Sequence, residues 1–145
     1  MYVKLNSDNQ PVNFPYSLSR LREDNSGTSF PDVISDETLA AHRVFPVVAT
    51  AVPDYDSKTH CVMQGIRRVG ADWTQSWTIE ELPEEDAGAN VRGYRNRLLS
   101  QTDYTQLADA PGDTAAWATY RQSLRDLSSA DGFPFTMSWP TEPGA

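Results

Sequence analysis

The period of the apolar residues changes at Leu82-Pro83, and that change limits the chain to a fold with separate β and α parts. Before it, short extended runs are punctuated by turns. Trp73, Gln75, Trp77 and Ile79 alternate with Thr74, Ser76, Thr78 and Glu80, the two-residue period of a strand. The run from Lys58 to Arg68 alternates more loosely, with Cys61 and Met63 on one face and Val62 and Gln64 on the other. Gly70-Ala71-Asp72 is a tight connector, so the two runs predict a β-hairpin. Upstream, Tyr2, Val3 and Leu5 predict an opening strand, Asp8 to Pro11 a turn, and Val12-Asn13-Phe14 a second strand. Tyr16 to Asp24 fits a short helix capped by Ser17, and Ser35 opens another. In Val44-Phe45-Pro46-Val47-Val48 the proline lacks a ladder donor, which predicts an edge strand or one beginning after it.

After the boundary the spacing becomes helical. Pro83 suits a first helical position, and Glu84, Glu85 and Asp86 sit where the helix dipole favours acids. Ala87, Val91, Tyr94 and Leu98 follow, then Leu99 or Thr102. Gly88 and Gly93 each weaken this helix by up to about 1 kcal/mol relative to Ala. Asp103 to Gly112 reads as a loop. Asp113 caps a second helix running to about Ser128, with Ala116, Trp117, Tyr120, Leu124 and Leu127 on one face. Asp131 to Ala145, with Phe133-Pro134-Phe135 and Trp139-Pro140, has an extended pattern. The expected fold is α+β. A β-rich module with a β-hairpin spans 1–82, and an antiparallel helical hairpin with an extended Pro/aromatic tail spans 83–145.

Composition narrows the function classes. With 145 residues, 39% of them hydrophobic, a core can form without staples. A net charge of −8 repels phosphate backbones, and Arg67-Arg68 is the only close basic doublet, so no nucleic-acid partner is expected. No stretch approaches the roughly 20 apolar residues that span a membrane. Met1 to Asp8 lacks the basic and apolar segments of a signal peptide, and the single Cys61 suits a reducing cytoplasm.

Catalytic patterns are sparse. There is no phosphate-binding glycine loop, HExxH, CxxC or GxSxG. His60 and Cys61, adjacent on a strand, point to opposite faces and do not share a metal easily. Asp54-Tyr55-Asp56 begins like a calcium loop but has Thr59 and Gly65 where glycine and glutamate are required. The acids around Glu80 to Asp86 suit a helix start without acid–base work. No enzyme, metal or cofactor is expected. A small hydrolase would need His42 or His60 within about 3 Å of a carboxylate.

From Val91 onward a longer pattern emerges. It runs through Arg97-Leu98-Leu99, Thr102-Asp103-Tyr104-Thr105-Gln106 and Asp109-Ala110-Pro111. It continues with Trp117-Ala118-Thr119-Tyr120-Arg121-Gln122-Ser123-Leu124-Arg125-Asp126, Gly132-Phe133-Pro134 and Trp139-Pro140. This stretch resembles the phage tail fibre assembly and tail assembly chaperone group, whose pattern has tryptophan where this chain has Tyr104. The resemblance implies a non-enzymatic tail accessory protein that binds a trimeric tail fibre and assists its assembly. It would act in the host cytoplasm or stay in the virion tail as a fibre-bound subunit. A tape-measure chaperone of the tail-tube pathway is the alternative. Under this resemblance Tyr94, Leu98, Asp103, Tyr104, Trp117, Tyr120, Arg121, Leu124, Arg125 and Trp139 hold the hairpin, with Trp139 buried. Arg121 and Arg125 are available to pair with Asp103 or Asp109. The fibre contact is expected partly on the β-module, with Trp73 and Trp77 as candidates.

Overall fold

The computed structural model describes residues 1–144. The chain is α+β, with a β-rich N-terminal part and helices towards the C-terminus. It divides into two compact units: Met1–Asp54 with Val62–Thr78, and Tyr55–Cys61 with Ile79–Ala145.

The first unit is built on a sheet of order β2-β1-β3-β5-β4. Its strands are β1 (Tyr2–Leu5), β2 (Pro11–Tyr16), β3 (Val44–Val48), β4 (His60–Val69) and β5 (Asp72–Glu81), of which the last two run on into the second unit. Strand β1 is antiparallel to both β2 and β3, whereas β3 and β5 are parallel. β2 begins at Pro11, which the sequence places in the preceding turn. Gly70 takes φ +62° in the connection to β5, and Asp72 belongs to the strand rather than the turn.

Pro46 overturns the edge-strand expectation, because β3 lies inside the sheet. Towards β1, the neighbouring Val47 N–H donates to Met1 O at 3.0 Å. Alternation turns the Pro46 nitrogen towards β5, whose pairing with β3 begins only at Val47 and Val48. The missing donor therefore falls where no ladder bond is required.

Side-chain alternation along β1 and β3 feeds two cores. Val44 joins Tyr16, Leu21, Ile34 and Leu39, with Tyr2 packed against them. Val3, Leu5, Val47 and Trp73 form the other. Helices α1 (Leu18–Asp24) and α2 (Asp36–Ala41) supply Leu21 and Leu39 to the first core. Ser17 and Ser35 cap them, accepting from Arg20 N–H at 3.1 Å and Thr38 N–H at 3.3 Å. Tyr16 is buried and its hydroxyl donates to Asp24 Oδ2 at 2.7 Å. Burial first, and the Asp24 carboxylate second, push its pKa up to about 12. An unfolded tyrosine ionises near 10, so this stabilisation is complete below pH 10 and is lost as pH rises from 10 to about 12. The whole loss is roughly 2–3 kcal/mol. Urea unfolding of wild type and Tyr16→Phe at pH 8 and pH 11.5 should show the variant losing less stability between the two pH values. An equal loss would remove Tyr16 as the cause.

The second unit holds α3 (Glu84–Gln101), a 3₁₀ turn (Asp103–Gln106), α4 (Thr114–Asp126) and a second 3₁₀ turn (Leu127–Ser129). Pro83 is the residue before α3, with extended ψ of 139°, so it caps the helix instead of starting it. Ala87, Gly88 and Val91 form the buried stripe of α3. A Cβ on Gly88 would lie 3.3 Å from the Arg92 guanidinium, the movable end of a flexible side chain, and 3.4 Å from Phe133 Cε1, an ordinary contact. Asp113 caps α4, accepting from the N–H groups of Ala115 and Ala116 at 2.9 and 3.1 Å. The expected extended tail is corrected over its first half. Residues 131–136 wind through turns, because Gly132 adopts φ +77° and its carbonyl accepts from Thr136 N–H at 2.7 Å.

Candidate functional site

In the second unit, Arg121 of α4 is the organising side chain. It is only 5% exposed. Its Nη1 donates to Leu99 O at the end of α3 and to Thr102 Oγ1 at 2.8 Å. Its Nη2 meets Asp103 Oδ1 at 2.6 Å. The guanidinium thus adds a charged donor to a carbonyl of the last turn of α3, which also accepts from Thr102 N–H and Oγ1, while fixing the first residue of the 3₁₀ turn. Thr102 and Thr105, both buried, complete the turn, with Thr105 Oγ1 donating to Thr102 O at 2.7 Å. The sequence places Thr102 as an alternative to Leu99 on the helix face and both threonines in the longer pattern, but nothing in their chemistry distinguishes a buried hydroxyl from a solvated one.

Tyr94 forms a second node. The Lys58 ammonium lies 4.9 Å from its ring centroid, the Arg97 guanidinium 4.7 Å, and the Trp139 ring meets it edge-on at 4.9 Å. Trp139 is half-buried rather than buried. The reason is its position on the rim of a groove between α4 and the C-terminal segment. Two adjoining clefts of about 640 and 460 Å³ share Ser123, Pro140 and Thr141. Tyr120 is buried beside the smaller one, and burial, then the charge of Glu142, raises its pKa. Trp117 is half-buried and meets Tyr120 edge-on at 5.9 Å. Leu124 is fully buried and Leu98 half-buried.

Tyr104, Asp109 and Arg125, also within the pattern, face outward. Tyr104 is 54% exposed, so it does not serve the core. The 3₁₀ turn sends Thr105 inward and Tyr104 outward, with Leu107 beyond it also 59% exposed. Arg125 and Asp109 are exposed and form no ion pair with each other. Asp103 takes Arg121 alone.

The residues weighed for catalysis have structural surroundings. His60 Nδ1 lies 2.8 Å from Thr59 Oγ1, and His42 packs edge-on against Phe30 at 5.1 Å. Among the described residues neither forms an ion pair with a carboxylate. Asp56 accepts from the backbone N–H of Lys58 at 2.9 Å and from its Nζ at 2.8 Å. Burial pushes this carboxyl up, but the Lys58 bonds prevail and hold it below the usual aspartate range.

In the first unit, Trp73 is 8% exposed within the core of Val3, Leu5 and Val47, so it offers no partner surface. Trp77 is half-buried, its Nε1 donating to Thr50 O at 3.3 Å. It lines a cleft of about 240 Å³ with Thr50, Arg67 and Ser76.

Comparison with known families now bears on this geometry. Residues 88–144 match the family model described as phage tail assembly chaperone protein. The matched region contains the Arg121 node, Tyr94, the exposed Tyr104 and the groove at Trp139. The match supports a role in phage tail assembly, and the family is one of assembly chaperones rather than enzymes. No curated protein and no solved structure matches the chain. Among the described residues no helix is long and apolar enough to cross a membrane.

Proposed function

We propose that this protein is a phage tail assembly chaperone whose client is the tail fibre. The observation that carries the reading is the family match of residues 88–144. The arrangement of that region supports it. Arg121, Tyr120 and Leu124 are buried and hold the frame, while Tyr104 and Leu107 stand three residues apart on the surface. Exposed apolar side chains grouped in this way suit protein association better than scattered single ones do. The chain binds the distal part of the fibre and keeps its β-rich chains from associating prematurely through open strand edges. It acts in the host cytoplasm and then stays with the fibre in the virion tail, where a trimeric fibre would carry three copies by symmetry.

Two measurements test this. Expression of the fibre with and without this chain should give soluble trimeric fibre only in its presence. Unchanged fibre folding would remove the fibre as client and favour the tape measure protein. Mass spectrometry of purified virions should find this chain in fibre-like copy number, and its absence would make it a chaperone that leaves. Tyr104→Ala separates client contact from stability. Unfolding free energy should move by less than about 0.5 kcal/mol, as for other surface sites, while recovery of soluble fibre falls several-fold. Full recovery of fibre would place the contact elsewhere.

A further inference from the structure

The two outer strands of the sheet differ. β2 contains Pro11 and Pro15 and pairs with β1 through two register shifts. Prolines and irregular pairing of this kind blunt an edge. β4, at the other end of the order, has ten residues and no proline. Among the described residues no strand pairs with it beyond β5.

The register of the hairpin decides which backbone groups β4 leaves free. Gly70, at positive φ, opens a two-residue turn that Val69 and Asp72 close as a hydrogen-bonded pair. Three contacts further along keep the same register. The Arg68 guanidinium lies 5.2 Å from the Trp73 ring centroid, and a Cβ on Gly65 would lie 3.1 Å from Ser76 Oγ. Beyond the strand ends, Leu82 N–H donates to Thr59 O at 2.8 Å. Odd-numbered residues of β4 therefore turn their N–H and C=O groups towards β5, whereas Val62, Gln64, Ile66 and Arg68 turn theirs outward. Among the described residues no backbone bond outside the ladder reaches these four.

The strand that fits this edge is a second copy of β4 itself. Its charges, Arg67 and Arg68, lie at one end, and Val62 to Ile66 carry none. Antiparallel pairing about a two-fold axis at Gln64 sets Val62 opposite Ile66 and Met63 opposite Gly65. Arg67 then lies opposite Cys61 of the second copy, and Cys61 lies opposite Glu80 in the hairpin register. Arg67 of one copy and Glu80 of the other are thus two strand spacings apart, about 10 Å between backbones. Both are exposed, and their long side chains close that span over the small Cys61. The axis repeats the pair, and no like charges meet. We infer that the free edge of β4 joins the same edge of a second copy, antiparallel about Gln64, with Arg67 of each copy paired to Glu80 of the other. The result is a two-fold dimer with one continuous sheet. The inference does not depend on the identity of the client.

Sedimentation equilibrium of the full chain tests this. The mass should rise reversibly with concentration from 16.2 kDa to twice that value. Gln64→Pro removes an outward N–H and no bond to β5, so it should weaken dimerisation about tenfold or more with circular dichroism unchanged. Arg67→Glu should weaken it about tenfold, and combining it with Glu80→Arg should restore it. That charge exchange decides the matter even if Gln64→Pro fails to fold. Val33→Lys, at a site 86% exposed and away from β4, should dimerise as wild type does. A wild type that stays monomeric across the concentration series would overturn the inference. So would a dimer that Gln64→Pro and Arg67→Glu both leave intact, because the contact would then lie on another surface. A monomeric wild type whose capture of purified fibre is lost in Gln64→Pro would assign the edge to the client instead.

Discussion

Arg121→Ala should lower the unfolding free energy by about 2–4 kcal/mol in urea titration, with most of the loss coming from the buried end of the side chain. Its Nη1 bonds to Leu99 O and Thr102 Oγ1 lie inside the unit, where the carbonyl would be left without its charged donor. The third partner is different. Asp103 has a side chain 67% exposed, so water takes over when the guanidinium is removed. Asp103→Asn should accordingly cost less than about 1 kcal/mol. Arg121→Lys should recover little, since an ammonium cannot span a helix carbonyl, a hydroxyl and a carboxylate as a planar fork does. Equal losses for Arg121→Ala and Asp103→Asn would mean that the ion pair, and not the capping of α3, holds this node.

How far such a node was legible in the sequence depends on which interactions are local. Helix caps are local, and Ser17, Ser35 and Asp113 stand in the structure at the positions their spacing predicts. The hairpin turn at Gly70 is local too. The order of strands is not. Pro46 looked confined to an edge because the rule concerns a missing donor, and only the stagger of β5 against β3 shows that no donor is needed there. Trp73 and Trp77 alternate on one side of β5, but periodicity marks a shared face without saying whether that face is core or surface. The long-range packing of Val3, Leu5 and Val47 decided it for Trp73. Tyr104 shows the complementary failure. It sits within a dense motif of packing residues, and only the handedness of a single 3₁₀ turn sets it outward and Thr105 inward.

Leu124→Ala should destabilise the chain by about 4 kcal/mol, lowering Tm by about 12–16 °C at this chain length. Trp117→Ala, although it removes a far larger side chain, should cost less, about 2–3 kcal/mol. Leu124 has no exposed surface, and deleting its branches leaves a void that neighbouring elements close only in part. Trp117 is half-buried at the start of α4, where solvent already covers much of the indole and fills the space it leaves. Its contribution is the area it removes from water, about half of a tryptophan's roughly 150–250 Å² at about 25 cal/mol per Å², together with the edge contact to Tyr120. Ranking by residue size would reverse this order. If thermal melts place Trp117→Ala below Leu124→Ala in Tm, the aromatic pair rather than the aliphatic stripe is the core of the matched region, and the groove beside Tyr120 becomes a structural seam instead of a surface open to a client.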